Sequence, residues 1–597
     1  MKQYKWIILT ILTLYLKSIL FTSFIASNNG YYLSTIEFKL VLIVIHCMIL
    51  GVIVFPSLLF KNKSFIKYLF LINLIYTVFL IIDLWIYRGT GHLNEFRFVF
   101  NNEAFNTLGQ GIVNPSYKDT LFFIDIIIIT FIYKTKKNSF NYKSKKILSI
   151  ALVVLSLIMI ITSHYLIDIK DITNGKVKFI QDRWEANWNI STRVACRSPI
   201  VHHIYDGYKT IKKLNESEEY GKYFNEIENW LNWNNEKLED NEYKGILSGK
   251  NVIFLQIESL ENFVINQKIY NQEITPNLNK LTKKGLYFNN IHEQNNAGNS
   301  IDMDMMAASG VLPLGDYITY LEYPEIKYPS LPRLLNKEGY NTILTHAERV
   351  GDWNWGEAGK VAAGYKTIWD INDYDIDEYA GFGLSDRSLY TQLIEKLSQE
   401  KQPFLAVVPT LTSHGPFDLA EEFRELDLPS ELDENKLGGY FQSVNYADRQ
   451  IGLLFELLEQ KGMLDDTVVV IYGDHGGVHK YYMDDVEASN IEGNWWQDRD
   501  SEIPLIIYGT NIENKIIETY GGHIDIVPTV AYLLGLETNN YQMGRNLLNT
   551  NRDATVIKGG IVVGNPSEED EKMFGKAYDI ADKIIKSNYY SKTNKVE

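Results

Sequence analysis

The run VVVIYGDHG, residues 468–476, decides the fold of the larger part of this chain. It is an apolar segment of strand length, and from Asn251 onward such segments alternate with amphipathic helical ones. That alternation is the signature of a mostly parallel α/β sheet. The Asp474-His475 pair follows the strand directly between two glycines, which let a backbone approach a ligand closely. The run therefore predicts a polar site where the strand ends.

Three further apolar runs also end at polar residues. These are residues 252–257 before Glu258, residues 342–344 before His346, and residues 404–408 before His414. Ligands of open α/β sheets bind at the carboxyl ends of strands, so we expect these side chains to line one edge. Each residue taken alone is more commonly a helix cap, a surface residue or a structural histidine. Together, carboxylates and imidazoles suit Mn²⁺, Zn²⁺ or Mg²⁺.

A candidate nucleophile lies in the segment NNAGNSIDMD, residues 295–304. Ser300 precedes an apolar helical run, and the free N–H groups of a helix N-terminus favour an anion. Coordination to a divalent cation would lower the pKa of its hydroxyl and make it a nucleophile. The alternative is that Ser300 only caps the helix, with Asp302 and Asp304 enriching the first turn.

The first 170 residues predict a membrane domain. Five apolar stretches cover residues 6–26, 38–59, 66–87, 120–133 and 147–167. Most approach the ~20 residues that a helix needs to cross a bilayer. A soluble helical core is the alternative, but its helices would show a polar stripe. Lys17 lies within the first stretch, where it either snorkels or contacts an anionic lipid or a neighbouring helix.

Lysines in the connecting loops predict the orientation. They are Lys61, Lys63 and Lys67 after the second stretch, and Lys134, Lys136, Lys137, Lys143, Lys145 and Lys146 after the fourth. By the positive-inside rule both loops are cytoplasmic. We therefore expect a multi-pass protein of the cell membrane with a cytoplasmic N-terminus and everything after about Asp168 outside the cell.

The bulk composition excludes some functions. The net charge of −16 belongs to the part beyond residue 170, and an acidic domain is a poor ligand for nucleic acid. Two cysteines, Cys47 and Cys196, allow neither a disulfide framework nor a zinc cluster. We expect a transmembrane domain over residues 1–168, an extracytoplasmic linker over 169–249 and a catalytic domain over 250–550. Residues 551–597 would form a tail that packs on the catalytic domain or extends from it.

The order Glu258, Ser300, His346, His414 and Asp474-His475 resembles the lipoteichoic acid synthase family. These are membrane phosphoglycerol transferases of the alkaline phosphatase and sulfatase superfamily. The motifs that carry the resemblance are QIES (256–259), GNSID (298–302), TLTSHGPF (410–417), GDHG (473–476), IDIVPT (524–529) and GRNL (544–547). The resemblance implies an α-helical transmembrane domain of five helices, a linker and an extracellular, sulfatase-like α/β domain with a mostly parallel central sheet.

The resemblance also implies roles for individual residues. Metal-binding positions of the family match Glu258, Ser300, Asp474 and His475, with Ser300 as the catalytic nucleophile. Positions around bound glycerol phosphate match His346, Glu348, Trp353, His414 and His479, and His523 is a further candidate beside the last strand of the sheet. Mn²⁺ is the favoured cofactor, with Mg²⁺ or Zn²⁺ as alternatives.

The implied reaction moves glycerol phosphate from phosphatidylglycerol to a glycolipid or teichoic-acid-type acceptor in cell-wall biogenesis. Alternatives are a related transferase of phosphoethanolamine or another phospho-alcohol, and a non-catalytic, degenerate member. Sulfatase activity is disfavoured, because Asp302 and Asp304 occupy the positions where a sulfatase needs Pro and Arg.

Two positions depart from the family pattern. Ser300 stands where lipoteichoic acid synthases usually have Thr, which keeps the hydroxyl. Trp355 stands where an Arg is expected, and an indole cannot grip phosphate in a bidentate way. Either Arg349 reaches the site instead, or the second substrate differs from a polyglycerol phosphate chain.

Overall fold

The computed structural model describes residues 2–28, 40–90, 92–96, 114–135, 142–173, 190–315, 317–497, 499, 501–537 and 541–596. The chain divides into two compact units, Met1–Leu214 and Asn215–Glu597. We refer to the first as the membrane unit and to the second as the catalytic unit.

The membrane unit is helical throughout its described part. Its helices are α1 (Lys2–Asn28), α2 (Leu40–Val54), α3 (Asn62–Thr90), α4 (Ile124–Thr135), α5 (Lys146–Thr173), α6 (Ile190–Arg197) and α7 (Pro199–Tyr220), the last of which contains the boundary between the units. Three of these helices carry apolar segments that are long enough to cross a membrane: Gln3–Ala26, Asn62–Arg88 and Lys146–Ser163. The prediction of membrane-spanning helices is therefore confirmed, and the count of five is confirmed only approximately.

The second and fourth predicted crossings are the short ones. Helix α2 has 15 residues and is followed by a 3₁₀ turn, Phe55–Leu59, with Pro56 at its start. Proline lacks an N–H and ends the α-helical pattern there. Helix α4 has 12 residues, because a 3₁₀ turn, Tyr117–Phe123, occupies the beginning of the predicted stretch.

Lys17 contacts neighbouring helices inside the membrane unit. Its Nζ lies 2.7 Å from Asp125 Oδ1 on α4 and donates to Asn73 Oδ1 (2.5 Å) and Thr77 Oγ1 (2.6 Å) on α3. Asn73 in turn donates to Asp125 Oδ2. Of the two alternatives for this lysine, contact with a neighbouring helix is correct. The network joins three helices through groups that would each be unfavourable alone in an apolar setting.

The catalytic unit is built on a nine-stranded sheet. The strands of the unit are β1 (Asn251–Ile257), β2 (Lys268–Ile269), β3 (Gln272–Glu273), β4 (Leu286–His292), β5 (Asn341–Thr345), β6 (Thr367–Trp369), β7 (Tyr379–Ala380), β8 (Gly383–Leu384), β9 (Phe404–Pro409), β10 (Thr467–Gly473), β11 (Glu502–Tyr508), β12 (Lys515–Ile517), β13 (Gly521–Gly522), β14 (Ala554–Ile557) and β15 (Ile561–Gly564). The order in the large sheet is β12-β4-β11-β10-β1-β9-β5-β6, with β13 beside β4. Only β11 runs antiparallel to its neighbours within this described sheet, which confirms the mostly parallel prediction.

Helices cover both faces of the sheet. They are α8 (Phe224–Asn234), α9 (Pro276–Leu281), α10 (Ser300–Ser309), α11 (Thr319–Glu322), α12 (Leu331–Lys337), α13 (Trp355–Ala358), α14 (Asp386–Leu397), α15 (Ser430–Asp433), α16 (Lys436–Gln460), α17 (Val478–Tyr481), α18 (Met483–Ala488), α19 (Ile526–Leu533), α20 (Glu568–Phe574), α21 (Ala577–Ser587) and α22 (Tyr589–Lys592). Alternate residues of β1 enter two different cores. Val252 and Phe254 pack on one face, and Ile253, Leu255 and Ile257 on the other. Burial on both faces explains why this strand reads as a continuous apolar run.

The segments on either side of the sheet domain pack together within the catalytic unit. Residues 174–189 of the expected linker lie outside the described part, residues 190–214 belong to the membrane unit, and residues 215–249 belong to the catalytic unit. On α8, the buried Trp230 donates its indole N–H to the Met573 carbonyl at 2.8 Å. Ile580 and Ile584 of α21 belong to the same core as Ile227.

Candidate active site

The candidate site lies at the carboxyl ends of four adjacent parallel strands. β10, β1, β9 and β5 follow one another in the sheet, and the register pairs Ile257 of β1 with Gly473 of β10. The next residue on each of these two strands is Glu258 or Asp474, so parallel pairing brings the two carboxylates together. His414 follows β9 and His346 follows β5 along the same edge.

Ser300 is the first residue of α10 and reaches this edge from a tight loop. The N-cap residue is Asn299, with a left-handed φ of 47° and no side-chain capping bond, so Ser300 is not merely a cap. Asp302 holds the loop by accepting from the N–H groups of Asn296 and Gly298, both at 2.9 Å. A side chain at Gly298 would meet Asp302 Oδ1 at 2.4 Å, so this position needs glycine.

Four side chains converge on one point. Ser300 Oγ lies 3.0 Å from Glu258 Oε2, to which it donates, and 3.1 Å from His475 Nε2. His475 Nε2 is also 3.3 Å from Glu258 Oε1 and 3.7 Å from Asp474 Oδ2. Glu258, Asp474 and His475 are all buried, and their ligand atoms lie within 4.8 Å of one another. This is a hydroxyl surrounded by two carboxylates and an imidazole.

The electrostatics of this cluster favour a cation. Burial and the neighbouring charge of Glu258 raise the pKa of Asp474 to about 7. Burial also acts to raise the pKa of Glu258, but His475 and His414 hold it below its ordinary value. A divalent ion among these atoms would relieve the repulsion of two buried carboxylates. Oxygen and nitrogen donors at this spacing fit such an ion, and the donor set alone leaves its identity open among Mn²⁺, Mg²⁺ and Zn²⁺.

The cluster forms one wall of a cavity of about 520 Å³. The lining residues are Glu258, Ser259, Ala297, Gly298, Asn299, Ser300, Ile301, His346, Glu348, Trp353, Pro409, Thr410, Leu411, His414, Gly415, His475, Tyr481 and Tyr482. No Lys or Arg is among the described residues that line it. A phosphate-bearing substrate in this cavity would therefore meet histidines and the proposed cation rather than basic side chains.

Known protein families match both parts of the chain. The family model described as "Sulfatase" matches residues 250–536, and that of the lipoteichoic acid synthase N-terminal domain matches residues 1–219. Lipoteichoic acid synthase 1 of Bacillus subtilis is 29% identical over 84% of this chain and 78% of its own length. Lipoteichoic acid synthase of Staphylococcus saprophyticus is 28% identical over 96% of this chain and 88% of its own length.

The chain belongs to the lipoteichoic acid synthase family. Among solved structures it resembles the lipoteichoic acid synthase LtaP from Listeria monocytogenes, with a TM-score of 0.54 and 27% identity. That match covers 62% of this chain and 98% of the other. It places the fold of the catalytic unit in the alkaline phosphatase and sulfatase superfamily.

His346, Glu348 and Trp353 line the cavity on the β5 side. His346 Nδ1 is 3.5 Å from Glu348 Oε2. Burial lowers the pKa of His346 to about 4, and burial together with the charge of Asp352 raises the pKa of Glu348 to about 8. At neutral pH the imidazole is therefore neutral and the carboxyl group carries a proton.

Trp355 is fully buried and does not line the cavity. Its ring stacks on His346, with centroids 5.2 Å apart, and its N–H donates to the Arg349 carbonyl at 2.8 Å. The indole supports His346 from below, in the place where the family pattern has a basic side chain. Arg349 is not among the described residues that line the cavity.

His414 also lines the cavity, after the end of β9. Its Nδ1 donates to the Gly415 carbonyl and its ring stacks on Phe382, with centroids 4.2 Å apart, which leaves Nε2 available to a ligand. His479 and His523 lie outside the described cavity lining. The ring nitrogens of His479 face Glu261 Oε2 (2.6 Å) and the Trp496 carbonyl (2.9 Å). His523 accepts from the Gln294 N–H and donates to the Gly473 carbonyl.

Three residues at the site were given no individual role from the sequence. Thr410 Oγ1 accepts from the Glu258 N–H at 3.1 Å and so fixes the carboxylate-bearing turn. Its place directly after β9 could have marked it. Tyr481 and Tyr482 line the cavity mouth, and the Tyr481 ring meets His475 edge-on at 6.0 Å. The sequence did not indicate that these two tyrosines lie near the strand ends, because their position depends on how the chain folds after β10.

Proposed function

We propose that this protein is a membrane-anchored, divalent-metal-dependent phosphoglycerol transferase. It moves glycerol phosphate from phosphatidylglycerol to a glycolipid or teichoic-acid-type acceptor, through a covalent intermediate on Ser300. One observation carries the proposal. Ser300 Oγ lies in a cavity within 3.1 Å of both Glu258 and His475, with Asp474 beside them. The same arrangement argues against a non-catalytic, degenerate member.

Glu258, Ser300, Asp474 and His475 would hold the cation, and Mn²⁺ is the ion we favour. When bound, such an ion acts as a Lewis acid and lowers the pKa of a coordinated hydroxyl. His475 donates through Nδ1 to the Gly476 carbonyl at 2.8 Å, so Nε2 is the ring nitrogen that would offer its lone pair to the cation. This tautomer is the one that a metal-binding histidine requires.

The first half of the reaction forms the covalent intermediate. Ser300 Oγ attacks the phosphorus of phosphatidylglycerol, the Oγ–P bond forms, and the bond from phosphorus to the diacylglycerol oxygen breaks. The hydroxyl proton leaves along the hydrogen bond that Ser300 donates to Glu258 and is taken up by water. The departing diacylglycerol oxygen takes a proton from the cavity wall, where Glu348 holds one at neutral pH.

The second half restores the enzyme. A hydroxyl of the acceptor attacks phosphorus, its proton passes to the Glu348 carboxylate, and the P–Oγ bond breaks. Ser300 recovers a proton from water. His414, whose Nε2 is free for a ligand, is placed to bind an oxygen of the phosphoryl group or of glycerol.

We also propose that the catalytic unit lies outside the cell and that the N-terminus is cytoplasmic. The lysine-rich loops around Lys61 and Lys145 support this orientation by the positive-inside rule. A lipid donor stays in the outer leaflet, so an anchored enzyme meets it at a high effective concentration. Labelling single cysteines at positions 63 and 270 in intact cells with an impermeant thiol reagent tests this. Position 270 should react and position 63 should not.

The central experiment follows the intermediate itself. Full-length protein in detergent is incubated with Mn²⁺ and phosphatidylglycerol labelled in its glycerol head group, without an acceptor, and then acid-quenched. We expect label on the peptide that contains Ser300 and none on a Ser300→Ala variant, with diacylglycerol released in equal amount to the label. Turnover without labelled protein, or label on another residue, would contradict the mechanism.

A second candidate substrate is phosphatidylethanolamine, which would make the protein a phosphoethanolamine transferase. The observation in its favour is the absence of Lys and Arg from the described cavity lining, together with the burial of Trp355. Parallel reactions with head-group-labelled phosphatidylglycerol and phosphatidylethanolamine separate the two. We expect label from phosphatidylglycerol only, and transfer from phosphatidylethanolamine alone would favour the second candidate.

A further inference from the structure

Two buried carboxylates hold consecutive backbone N–H groups beside His475. Gly476 N donates to Glu293 Oε2 at 2.7 Å, and Gly477 N donates to Glu261 Oε1 at 2.8 Å. Glu293 follows β4 and Glu261 follows β1, so the two carboxylates reach the turn from different strands. Neither residue lines the cavity within the described part of the chain.

The Gly476 peptide groups are the link between these carboxylates and His475. The Gly476 carbonyl accepts from His475 Nδ1 at 2.8 Å. Since the N–H groups on both sides of Gly476 are bound, that carbonyl cannot turn away without breaking a charge-assisted hydrogen bond. The space is also restricted, because a side chain at Gly477 would meet the Ser259 carbonyl at 2.6 Å.

Glu293 has basic partners that keep it ionised. Its carboxylate lies 3.1 Å from Lys480 Nζ and 2.6 Å from Arg499 Nη2. Burial acts to raise the pKa of Glu293, but the charge of Lys480 and the Gly476 N–H hold it down at about 2. The charged form of the acceptor therefore persists across the whole physiological range.

Glu261 is tied to α17 as well as to the turn. Its Oε1 also accepts from the His479 N–H at 3.2 Å, and its Oε2 faces His479 Nδ1 at 2.6 Å. Trp496 accepts from the other ring nitrogen of His479. The Glu261 carboxylate is thus fixed in place by the same histidine that the family pattern puts near the substrate.

We infer that Glu261 and Glu293 are positioning residues that act through the Gly476 and Gly477 peptides to set the tautomer and orientation of His475. The inference rests on the proposed metal-binding role of His475. Loss of the Glu261 bond frees the peptide that contains the Gly476 carbonyl, and loss of the Glu293 bond frees the preceding peptide, which joins His475 to Gly476. In either case the Gly476 carbonyl is held less firmly against His475 Nδ1, whose proton it binds. Fewer molecules then present a lone pair on Nε2 to the cation. Outer partners of metal-binding histidines typically change metal affinity by 10–100-fold.

Metal affinity of the full-length protein in detergent tests the inference without any lipid turnover. Calorimetric titration with Mn²⁺ should give a dissociation constant about 10-fold higher for Glu293→Gln and for Glu261→Gln than for the unaltered chain. Thermal unfolding in parallel reports the folded fraction, so a variant that is only destabilised is recognised by an unchanged dissociation constant. The matched control is Asp570→Asn, which breaks the enclosed Arg552–Asp570 pair away from the turn.

Glu293→Asp separates positioning from simple charge attraction. This variant keeps the negative charge but withdraws the carboxylate by one methylene, so we expect weakened Mn²⁺ binding, as for Glu293→Gln. Binding by Glu293→Asp at the unaltered affinity, or equal affinities for all variants and the control, would overturn the positioning role. If the unaltered chain itself binds no Mn²⁺, the proposed metal-dependent function fails first and this inference falls with it.

Discussion

In the membrane unit, three enclosed carboxylates each face a basic side chain, whereas the carboxylates around Ser300 in the catalytic unit share two histidines. Asp125 pairs with Lys17 at 2.7 Å, Asp83 with His203 at 2.6 Å, and Asp119 with Arg88 at 2.8 Å. In the cavity, Glu258 and Asp474 crowd His475, and Glu348 adjoins His346.

The paired charges of the membrane unit stabilise the fold, whereas the carboxylates around Ser300 are suited to binding a ligand. A buried ion pair satisfies itself, and removing one partner leaves an uncompensated charge. Around Ser300 the negative groups outnumber the positive ones, and the pKa values of Asp474 and Glu348 are raised to about 7 and about 8. Such an arrangement is retained where a cation or a proton transfer requires it.

The largest expected effect is the loss of activity on removing the Ser300 hydroxyl. Ser300→Ala should lower kcat/KM for diacylglycerol release by a factor on the order of 10³ or more, because it removes the proposed nucleophile. Ser300→Thr should stay within about 10-fold, since it keeps the nucleophile. Release is followed with fluorescent phosphatidylglycerol and Mn²⁺.

The control for this prediction is Ser309→Ala at the other end of the same helix. Ser309 Oγ donates to the Met305 carbonyl and accepts from the Val311 N–H, both away from the cavity, so activity per folded molecule should not change. Equal release of diacylglycerol by Ser300→Ala and the unaltered protein would show that Ser300 is not the nucleophile. The proposed catalytic role of the carboxylates around it would then fail as well.

Removing one carboxylate of the cluster should abolish most of the stabilisation that a bound cation provides. Asp474→Asn is expected to weaken Mn²⁺ binding by more than about 100-fold, since a lost ligand should exceed the effect of an outer partner. At an Mn²⁺ concentration of about 100 times the dissociation constant, the unaltered chain gains about 2.7 kcal/mol of stability, and the variant should gain almost none.

Thermal unfolding with and without Mn²⁺ measures this gain. The control is Asp418→Asn, which removes an exposed carboxylate that pairs with Lys436. It should be stabilised by Mn²⁺ as much as the unaltered chain. Equal stabilisation of all three proteins would show that the ion binds elsewhere.

In the membrane unit, the Lys17–Asp125 pair should contribute to the free energy of unfolding. Lys17→Met should destabilise the protein in detergent by about 3 kcal/mol, because Asp125 then lacks its partner among apolar helices. The double variant Lys17→Met with Asp125→Asn should recover most of this loss. The free energy of unfolding, measured by titration with a denaturing detergent, gives the coupling between the two sites.

The same variants should show no change in catalysis. Both variants should keep their activity per folded molecule, because the pair serves packing and not the reaction. Additive effects of the two substitutions would show that the pair is not coupled. A loss of kcat at full folding would assign the pair a role in turnover.

The sequence allowed the centre of the site to be predicted because its geometry is a local consequence of strand order. Glu258 and Asp474 follow paired residues of neighbouring parallel strands, so an apolar run that ends in a carboxylate already locates each of them. The structure brings Ser300 and His475 to the same point, while their roles as nucleophile and metal ligand stay predictions. The α/β fold and the membrane helices could also be predicted, because both follow from the pattern of hydrophobic residues along the chain.

Contacts between distant loops could not be predicted in this way. His479 pairs with Glu261, 218 positions earlier in the chain, and Glu293 binds a peptide N–H 183 positions away. No pattern in the sequence selects these partners, which depend on how the loops pack over the sheet. Trp355 likewise reads as a lost phosphate ligand in the sequence, and only the fold shows that its ring supports His346.

The smallest expected effect is a pH dependence that belongs to Glu348. Its pKa is about 8 in the folded chain, raised by burial and by Asp352, against an ordinary value near 4.5. Between these values the folded state binds more protons than the unfolded state, so this group destabilises the metal-free protein as pH rises from about 5 to 8. Glu348→Gln removes that contribution. Because the side chain retains 19% exposure, water screens it, and the difference should be about 2 kcal/mol.

Denaturant unfolding of both proteins in a chelator, at pH 5 and at pH 8, measures this difference. The unaltered chain should lose stability relative to Glu348→Gln as pH rises, since Asp474 and the other carboxylates are common to both and largely cancel. Glu395→Gln, which alters an exposed carboxylate, should run parallel to the unaltered chain. Parallel curves for Glu348→Gln as well would mean that Glu348 is ionised at neutral pH. Proton delivery to the departing oxygen would then fall to another residue of the cavity lining, such as His414.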